Sequence, residues 1–183
     1  MVRAVVVTLA LVAALGGCGV PADSRPRDIE NPRAHSSDGP LAADAGSQFV
    51  RLYLVRDGRL VRVAHRVPQA QSAAGQLRQL LAGPNATESR NGMTTALSTM
   101  NVTGLTVVDR RATVEIGTPA APGARSDEVL AYGQIVCTLT SQGAEVGTVS
   151  FLADGRPLAV PRADGALTDA PLTIADYAGL LDS

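Results

Sequence analysis

The chain has 183 residues, of which 45% are hydrophobic, 18% are charged and 3% are aromatic, and its formal net charge is -1. This length allows one domain with tails, and the apolar fraction is enough for a buried core. The near-neutral charge argues against nucleic-acid binding, which needs a basic surface, and the use of arginine for all 16 basic residues excludes chemistry that needs a lysine.

The first 17 residues follow the plan of a bacterial lipoprotein signal peptide. Arg3 is positive, residues 4–15 are apolar, and two glycines precede Cys18. The apolar run is shorter than the roughly 20 residues that span a bilayer, and its order is typical of a secretory signal. Small residues before a cysteine resemble a lipobox, in which the cysteine is acylated. We therefore predict palmitate-type lipidation at Cys18 and a position on the extracytoplasmic face of the cell membrane. The alternative is an ordinary secretion signal with an incidental Cys18.

A disordered tether is predicted from the acylated Cys18 to residue 46, that is, over residues 18–46. Prolines alternate there with polar and charged residues, and large apolar residues are almost absent. Such a segment cannot bury enough surface to offset its ordering entropy. The tether is long enough to hold a domain away from a membrane surface, and His35 within it is interpreted as solvated.

A β-hairpin is predicted where order begins, near Phe49. Apolar residues alternate on both sides of Asp57-Gly58, which is a strong signal for a two-residue turn. Turn chemistry and hydrophobic pattern select the same register. This register pairs Val55 with Leu60, Leu54 with Val61, Leu52 with Val63 and Val50 with His65. One face is apolar and carries Leu52, Leu54, Val61 and Val63. The other face carries Tyr53 and Arg62.

Two helices are predicted, each beginning at a serine N-cap. Ser72 begins the first, which ends at Gly83-Pro84. Ser126 begins the second, in which a glycine at position 133 costs about 1 kcal/mol relative to alanine and so indicates close backbone packing. Residues 85–100 are interpreted as a loop. The apolar stripe of the first helix is Leu77, Leu80 and Leu81, with Gln76, Arg78 and Gln79 outside.

Two further hairpins are predicted, one after each helix. The first has Arg110 and Arg111 at the centre of its turn, and these two residues are either an anion site or, in the preferred interpretation, a solvated turn. The second turns at Asp154-Gly155. The expected registers pair Val107 with Val114 and Leu105 with Ile116, and place Val149, Phe151, Leu158 and Val160 on one face.

This order of elements predicts an α+β fold, a small sandwich of two helices on a mixed or antiparallel sheet built from β-hairpins. The predicted folded domain covers residues 47–161. Residues 162–183 are predicted to form a C-terminal tail that packs on the domain.

The sequence contains no catalytic motif that we can identify. It lacks HExxH, Gly-x-Ser-x-Gly, a glycine-rich phosphate loop and Cys-x-x-Cys. His65, the only histidine of the predicted domain, is interpreted as a packed or edge residue. Glu115, Asp127 and Glu128 are interpreted as exposed or helix-capping carboxylates; the alternative is a carboxylate pair for glycoside chemistry. Cys137 has apolar neighbours and is predicted to be buried; the alternatives are a nucleophile or an intermolecular disulfide. We predict no enzyme activity, no cofactor and no metal.

Several stretches, in this order and spacing, resemble the GerMN domain of spore-germination proteins and bacterial lipoproteins. One departure is that residues 96–100 stand where the family often has a proline-containing turn. The matching stretches are residues 52–54 (LYL), 80–84 (LLAGP), 105–117 (LTVVDRRATVEIG), 134–140 (QIVCTLT), 149–155 (VSFLADG), 157–161 (PLAVP) and 167–181 (LTDAPLTIADYAGLL).

The resemblance implies a small α+β domain similar to the ring-building modules of secretion and sporulation machines, and it brings no catalytic residues. We therefore expect a membrane-anchored, non-catalytic module for interaction or assembly in the cell envelope. Its partner would be another envelope protein or a second copy of itself. The alternative is a lipoprotein that binds a cell-wall fragment, a lipid or a small solute.

Overall fold

The computed structural model describes residues 48–117, 125–142 and 145–182. The predicted signal peptide, Cys18 and the tether lie outside these residues. Among the described residues, no helix is long and apolar enough to span a membrane. The α+β class predicted from the sequence is confirmed by the mixture of strands and helices.

Strand pairs alternate with helices along the chain. The elements are β1 (Gln48–Arg56), β2 (Arg59–Val67), α1 (Ala73–Leu81), α2 (Ala86–Arg90), a short 3₁₀ turn (Leu97–Thr99), β3 (Val102–Val108), β4 (Arg111–Ile116), α3 (Arg125–Thr140), β5 (Thr148–Ala153), β6 (Arg156–Pro157), β7 (Val160–Pro161), β8 (Leu167–Thr168) and a C-terminal 3₁₀ helix (Ile174–Leu180).

The strands form three separate ladders instead of the one sheet that we expected. β1 pairs with β2, the four-stranded ladder has the order β3-β4-β5-β6, and β7 pairs with β8. Within the four-stranded ladder, β4 and β5 are parallel, and α3 connects them as such a crossover requires. At the turn half of β1, helix and loop residues occupy the edge where a further strand would pair.

The first hairpin has the predicted register. Val55 pairs with Leu60, and His65 lies opposite Val50. The turn residue Gly58 has φ +71°, a conformation that glycine adopts without strain. Tyr53 pairs with Arg62 and lies on the same face of the hairpin, as predicted. Tyr53 is nevertheless buried. The turn half of β1 is therefore covered on both faces.

Two buried polar side chains of helix α3 form hydrogen bonds with the edge of β1 that faces away from β2. The Tyr53 N–H donates to Thr138 Oγ1 at 3.0 Å, and Gln134 Nε2 donates to the Tyr53 carbonyl at 2.8 Å. Gln134 Oε1 also accepts from the Ala96 N–H at 2.8 Å. Next along the edge, Val55 and Thr94 exchange backbone hydrogen bonds of 2.9 and 2.7 Å. The protein itself thus satisfies the edge of β1 at Tyr53 and Val55.

Gly133 allows α3 to pack closely, as the sequence indicated. A Cβ at this position would lie 2.9 Å from Leu60 Cδ1 and 2.9 Å from Tyr177 Cδ1. Tyr177 comes from the C-terminal 3₁₀ helix, is fully buried, and donates from its hydroxyl to the Pro161 carbonyl at 2.8 Å. Its side chain therefore belongs to the core that α3 forms with β2.

The predicted register of the second hairpin is wrong by two residues. Val107 pairs with Ala112, and Leu105 pairs with Val114. The turn consists of Asp109 and Arg110, with φ of 48° and 61°, since positive φ at both central residues suits the twist of a two-residue hairpin. This shorter turn places Ala112, which is fully buried, in the strand.

The third hairpin is shorter than predicted. Pairing stops at Pro157, and Val160 instead pairs with Thr168 in β7-β8. Val160 remains in the core, but Leu158 is only partly buried. The Leu158 N–H still donates to the Phe151 carbonyl at 2.9 Å, one residue beyond the last ladder pair.

The helices differ from prediction in their orientation and their bounds. Ser72 caps α1 as predicted by accepting from the Gly75 N–H, but Gln76 is buried and Leu81 is 40% exposed. The helix is therefore rotated relative to the predicted stripe. The segment interpreted as a loop contains α2, which has an Asn85 capping box. Helix α3 begins at Arg125, one residue before the predicted cap.

We predict that Gln134→Leu destabilises the protein by about 2–4 kcal/mol, because it leaves the Tyr53 carbonyl and the Ala96 N–H buried without partners. Urea unfolding measures the difference from the change in midpoint at constant slope. Gln79→Leu is the matched control, because the Oε1 of Gln79 has no hydrogen-bond partner in the folded protein. A loss below about 0.5 kcal/mol for Gln134→Leu would contradict the importance of this contact.

Candidate interaction site

The described residues hold no cluster that could bind a metal ion. No group of three His, Cys, Asp or Glu side chains converges in this part of the chain. Glu115 accepts from the Gly155 N–H at 2.9 Å, so it fastens one hairpin to another. Asp127 and Glu128 lie in the first turn of α3, where they favour the positive end of the helix dipole.

Cys137 is completely buried, as predicted. Burial raises the pKa of its thiol to about 12, so the reactive thiolate is scarce at neutral pH. A buried, protonated thiol suits neither a nucleophile nor an intermolecular disulfide. Cys137 therefore acts as a small apolar residue of the core.

His65 joins the first hairpin to α2. Its Nε2 lies 2.7 Å from Glu88 Oε1, and both side chains are largely buried. The other oxygen of Glu88 accepts from the Asn85 N–H at 2.8 Å and completes the cap of α2. This arrangement explains the histidine by packing and hydrogen bonding without a metal.

An arginine-rich surface lies on the side of the hairpin that carries Tyr53. Arg66 is 5.8 Å from the ring centroid of Phe49, which is 56% exposed, a cation–π geometry. Among the described residues, no carboxylate lies within ion-pair distance of Arg62 or Arg66. We call this surface the arginine face; it consists of Phe49, Arg51, Arg62, Ala64 and Arg66.

The outer edge of β2 borders the arginine face. The backbone N–H and C=O of Tyr53 point away from β2. Tyr53 and Arg62 therefore form a non-hydrogen-bonded pair, in which the N–H and C=O of Arg62 point away from β1. The same holds for Ala64 and Arg66. No described residue bonds these groups, whereas the Leu60 carbonyl at the turn end accepts from the Asp182 N–H at 3.0 Å. With respect to the described residues, the edge is therefore open beyond Leu60.

In the described part of the chain, β3 is also an edge strand, and it is less suited to pairing. Its register shifts between Val102 and Gly104, and such a bulge blunts an edge. The adjoining turn, where Arg110 and Arg111 were considered above as an anion site, is hydrogen-bonded to the segment just before β5. The Arg110 carbonyl accepts from the Gly147 N–H at 2.7 Å, which indicates a structural turn.

The candidate residues identified from the sequence therefore do not lie together in one site. Cys18 lies outside the described residues, and the arginine face was not identified from the sequence. Its signal was available in Arg62, Ala64 and Arg66, which are spaced by two residues on a strand and so share one face. Hydrophobic patterning alone assigned that face to solvent and gave it no function.

Comparisons with known proteins agree with the fold. The family model described as Germane, sporulation and spore germination, matches residues 43–159. The tandem GerMN domains of the sporulation protein GerM from Bacillus subtilis are 17% identical with a TM-score of 0.50, over 77% of this chain and 49% of that one. The chain thus spans about half the length of that structure. A comparison with curated proteins found no match.

Two more solved structures are similar at lower TM-scores. The first GerMN domain of GerM from Bacillus subtilis is 19% identical with a TM-score of 0.46, over 69% of this chain and 95% of that one. A candidate lipoprotein from Clostridium perfringens is 14% identical with a TM-score of 0.46, over 75% of this chain and 94% of that one.

Proposed function

The chain belongs to the sporulation and spore germination family, and from that premise we propose that it is a non-catalytic, lipid-anchored interaction module of the cell envelope. Acylated Cys18 holds it on the extracytoplasmic face of the membrane. Two acyl chains give stable anchoring where one gives only reversible binding. The folded domain binds another envelope protein through the outer edge of β2.

The observation that carries this proposal is the open, arginine-lined edge of β2. An extended segment of a partner can add to such an edge by main-chain hydrogen bonds to Arg62, Ala64 and Arg66. The side chains of Arg62 and Arg66 lie on one face, two residues either side of Ala64. A partner strand with acidic residues at the same spacing would match them in charge.

The same charges disfavour self-association through this edge. A symmetric antiparallel pair centred on Ala64 would place Arg62 of one copy opposite Arg66 of the other. Like charges directly opposite each other destabilise a strand pair, and charged edge residues are a common protection against such pairing. Of the two partners expected from the sequence, the arginine face favours a different, acidic protein.

We predict that a photo-cross-linking residue at position 64 captures a specific envelope protein in cells, because Ala64 lies at the centre of the open edge. The same residue at Arg156, which is exposed on β6, is the matched control. Adducts are identified by mass spectrometry. Amine-reactive reagents are unsuitable because the chain contains no lysine.

Charge reversal completes this experiment. With the probe at position 64, Arg62→Glu and Arg66→Glu together should lower the adduct yield at least about tenfold, because like charges at an interface are strongly unfavourable. Equal capture from positions 64 and 156, or an adduct only with a second copy of the chain, would contradict the proposed partner.

Anchoring has its own test. We predict that Cys18→Ala leaves a precursor that is neither processed nor labelled by palmitate, because the acylated atom is absent. Labelling and membrane fractionation are the measurements, and Cys137→Ala is the control, which should label like the parent. Palmitate label on the Cys18→Ala protein at the parental level would contradict the lipoprotein proposal.

A further inference from the structure

The four-stranded ladder of β3, β4, β5 and β6 has one face in the core and one face that no described helix covers. Ala112, Val114 and Phe151 are buried, and Tyr132 of α3 contacts Phe151 edge-on with ring centroids 4.9 Å apart. Helix α3 therefore lies on the buried side. Successive side chains of a strand alternate between the two faces, so Thr113 points to the other side.

Short hydroxyl side chains form the middle row of this second face. Thr106 of β3 pairs with Thr113 of β4, and Thr113 pairs with Ser150 of β5. Thr106 is exposed, and Thr113 and Ser150 are partly exposed. Arg111 and Glu115 lie on either side of this row, two residues before and after Thr113. We call this surface the hydroxyl face; it consists of Thr106, Arg111, Thr113, Glu115 and Ser150.

The hydroxyl face is suited to packing against another sheet. Short side chains lose little rotamer freedom when they are covered, and threonine is already stiff about χ1. They also allow a second sheet to approach to the usual separation of about 10 Å. Val108, which pairs with Arg111 and is 61% exposed, adds apolar surface at one end. The face therefore fits a second flat layer of short side chains.

The two charges of the hydroxyl face lie at opposite ends and have opposite signs. Arg111 is exposed and forms an ion pair with no residue in the described parts of the chain. Glu115 Oε1 accepts from the Gly155 N–H, and no described residue bonds its Oε2. Four residues of strand separate the two positions by about 13 Å. A matching partner surface carries a negative charge for Arg111 and a positive charge for Glu115 at the same separation.

We propose that the hydroxyl face packs against the same face of a second copy of this chain. A two-fold axis between the two sheets, over Thr113 and perpendicular to β4, sets Arg111 of each copy opposite Glu115 of the other. Thr113 then faces its own equivalent. A two-fold axis parallel to β4 would instead set Arg111 opposite Arg111, and repulsion between like charges disfavours that arrangement. Charge complementarity therefore selects one isologous dimer, in which the two β4 strands run in opposite directions.

This dimer face is separate from the proposed partner edge. The hydroxyl face belongs to the four-stranded ladder, and the partner edge belongs to the ladder of β1 and β2. Like charges disfavour self-pairing at Arg62 and Arg66, whereas Arg111 and Glu115 are complementary between copies. Loss of one interaction therefore does not imply loss of the other.

Thiol cross-linking of the full chain in cells tests the dimer. We expect Thr113→Cys to give a covalent dimer with a bis-maleimide, because the two introduced thiols face each other across the axis. A spacer of about 10 Å matches the separation of packed sheets, whereas a direct disulfide needs a closer approach. Ser89→Cys is the matched control, because Ser89 is exposed on α2. The parent chain reports any cross-link through Cys18 or Cys137.

The yield and the mass of the cross-linked product decide the outcome. Thr113→Cys should give at least about fivefold more dimer than Ser89→Cys, because pairing of the two faces holds the introduced thiols together. No dimer, equal dimer from both positions, or an adduct with a different protein would overturn the proposal.

Charge variants in the Thr113→Cys chain test the two-fold arrangement itself. Arg111→Glu should lower the dimer yield about fivefold, because it sets two carboxylates opposite each other. This variant should melt like the parent, since Arg111 is exposed. Glu115→Gln retains the oxygen that accepts from the Gly155 N–H and should lower the yield less.

The two charge changes together give the decisive comparison. The double variant should return the yield to the level of Glu115→Gln alone, because no like charges then face each other. A yield that Arg111→Glu leaves unchanged, or a double variant with a yield as low as that of Arg111→Glu, would refute the arrangement.

Discussion

The contact between α3 and the free edge of β1 determines how the rest of the domain is arranged. Gln134 and Thr138 are completely buried, and together they bond both backbone groups of Tyr53. Buried polar groups of this kind are tolerated only when their partners are present. Because Gln134 also bonds Ala96, one side chain connects the helix, the hairpin and the loop before β3. The hairpin is therefore bound to the helix at its edge and does not join the four-stranded ladder.

This closure gives the hairpin two unlike edges. Among the described residues, the edge of β1 is bonded to α3 and Thr94 at Tyr53 and Val55, while that of β2 is bonded only at Leu60. An open edge is a liability that proteins normally protect, and here the protection is positive charge on Arg62 and Arg66. The same charge restricts the strands that can pair there. Protection against self-pairing and the acidic partner that we propose thus rest on one feature.

Local chemistry predicted the local structure well. The Asp57-Gly58 turn and the Ser72 cap were recognisable because each depends on neighbouring residues. The register of the second hairpin was predicted wrongly because Arg110 adopts a positive φ. Positive φ is uncommon in a non-glycine residue, so no sign of it was visible in the sequence. The bond from Gln134 to Tyr53 spans 81 residues and has no local pattern. The burial of Cys137 was predictable because its sequence neighbours are apolar. The side of α1 that faces the core was not predictable, because it depends on residues that are distant in the sequence.

The central claim is that, within the described part of the chain, the β1 edge is bonded at Tyr53 and Val55 and the β2 edge is open beyond Leu60. Amide hydrogen exchange measured by NMR tests it most directly, because each amide reports its own hydrogen bond. The N–H groups of Tyr53 and Val55 are bonded to Thr138 and to the loop. Their exchange should be at least about 100-fold slower than that of Arg62 and Ala64, which point outward from β2. Equal protection of Arg62, Ala64 and Tyr53 in the isolated protein would contradict the account.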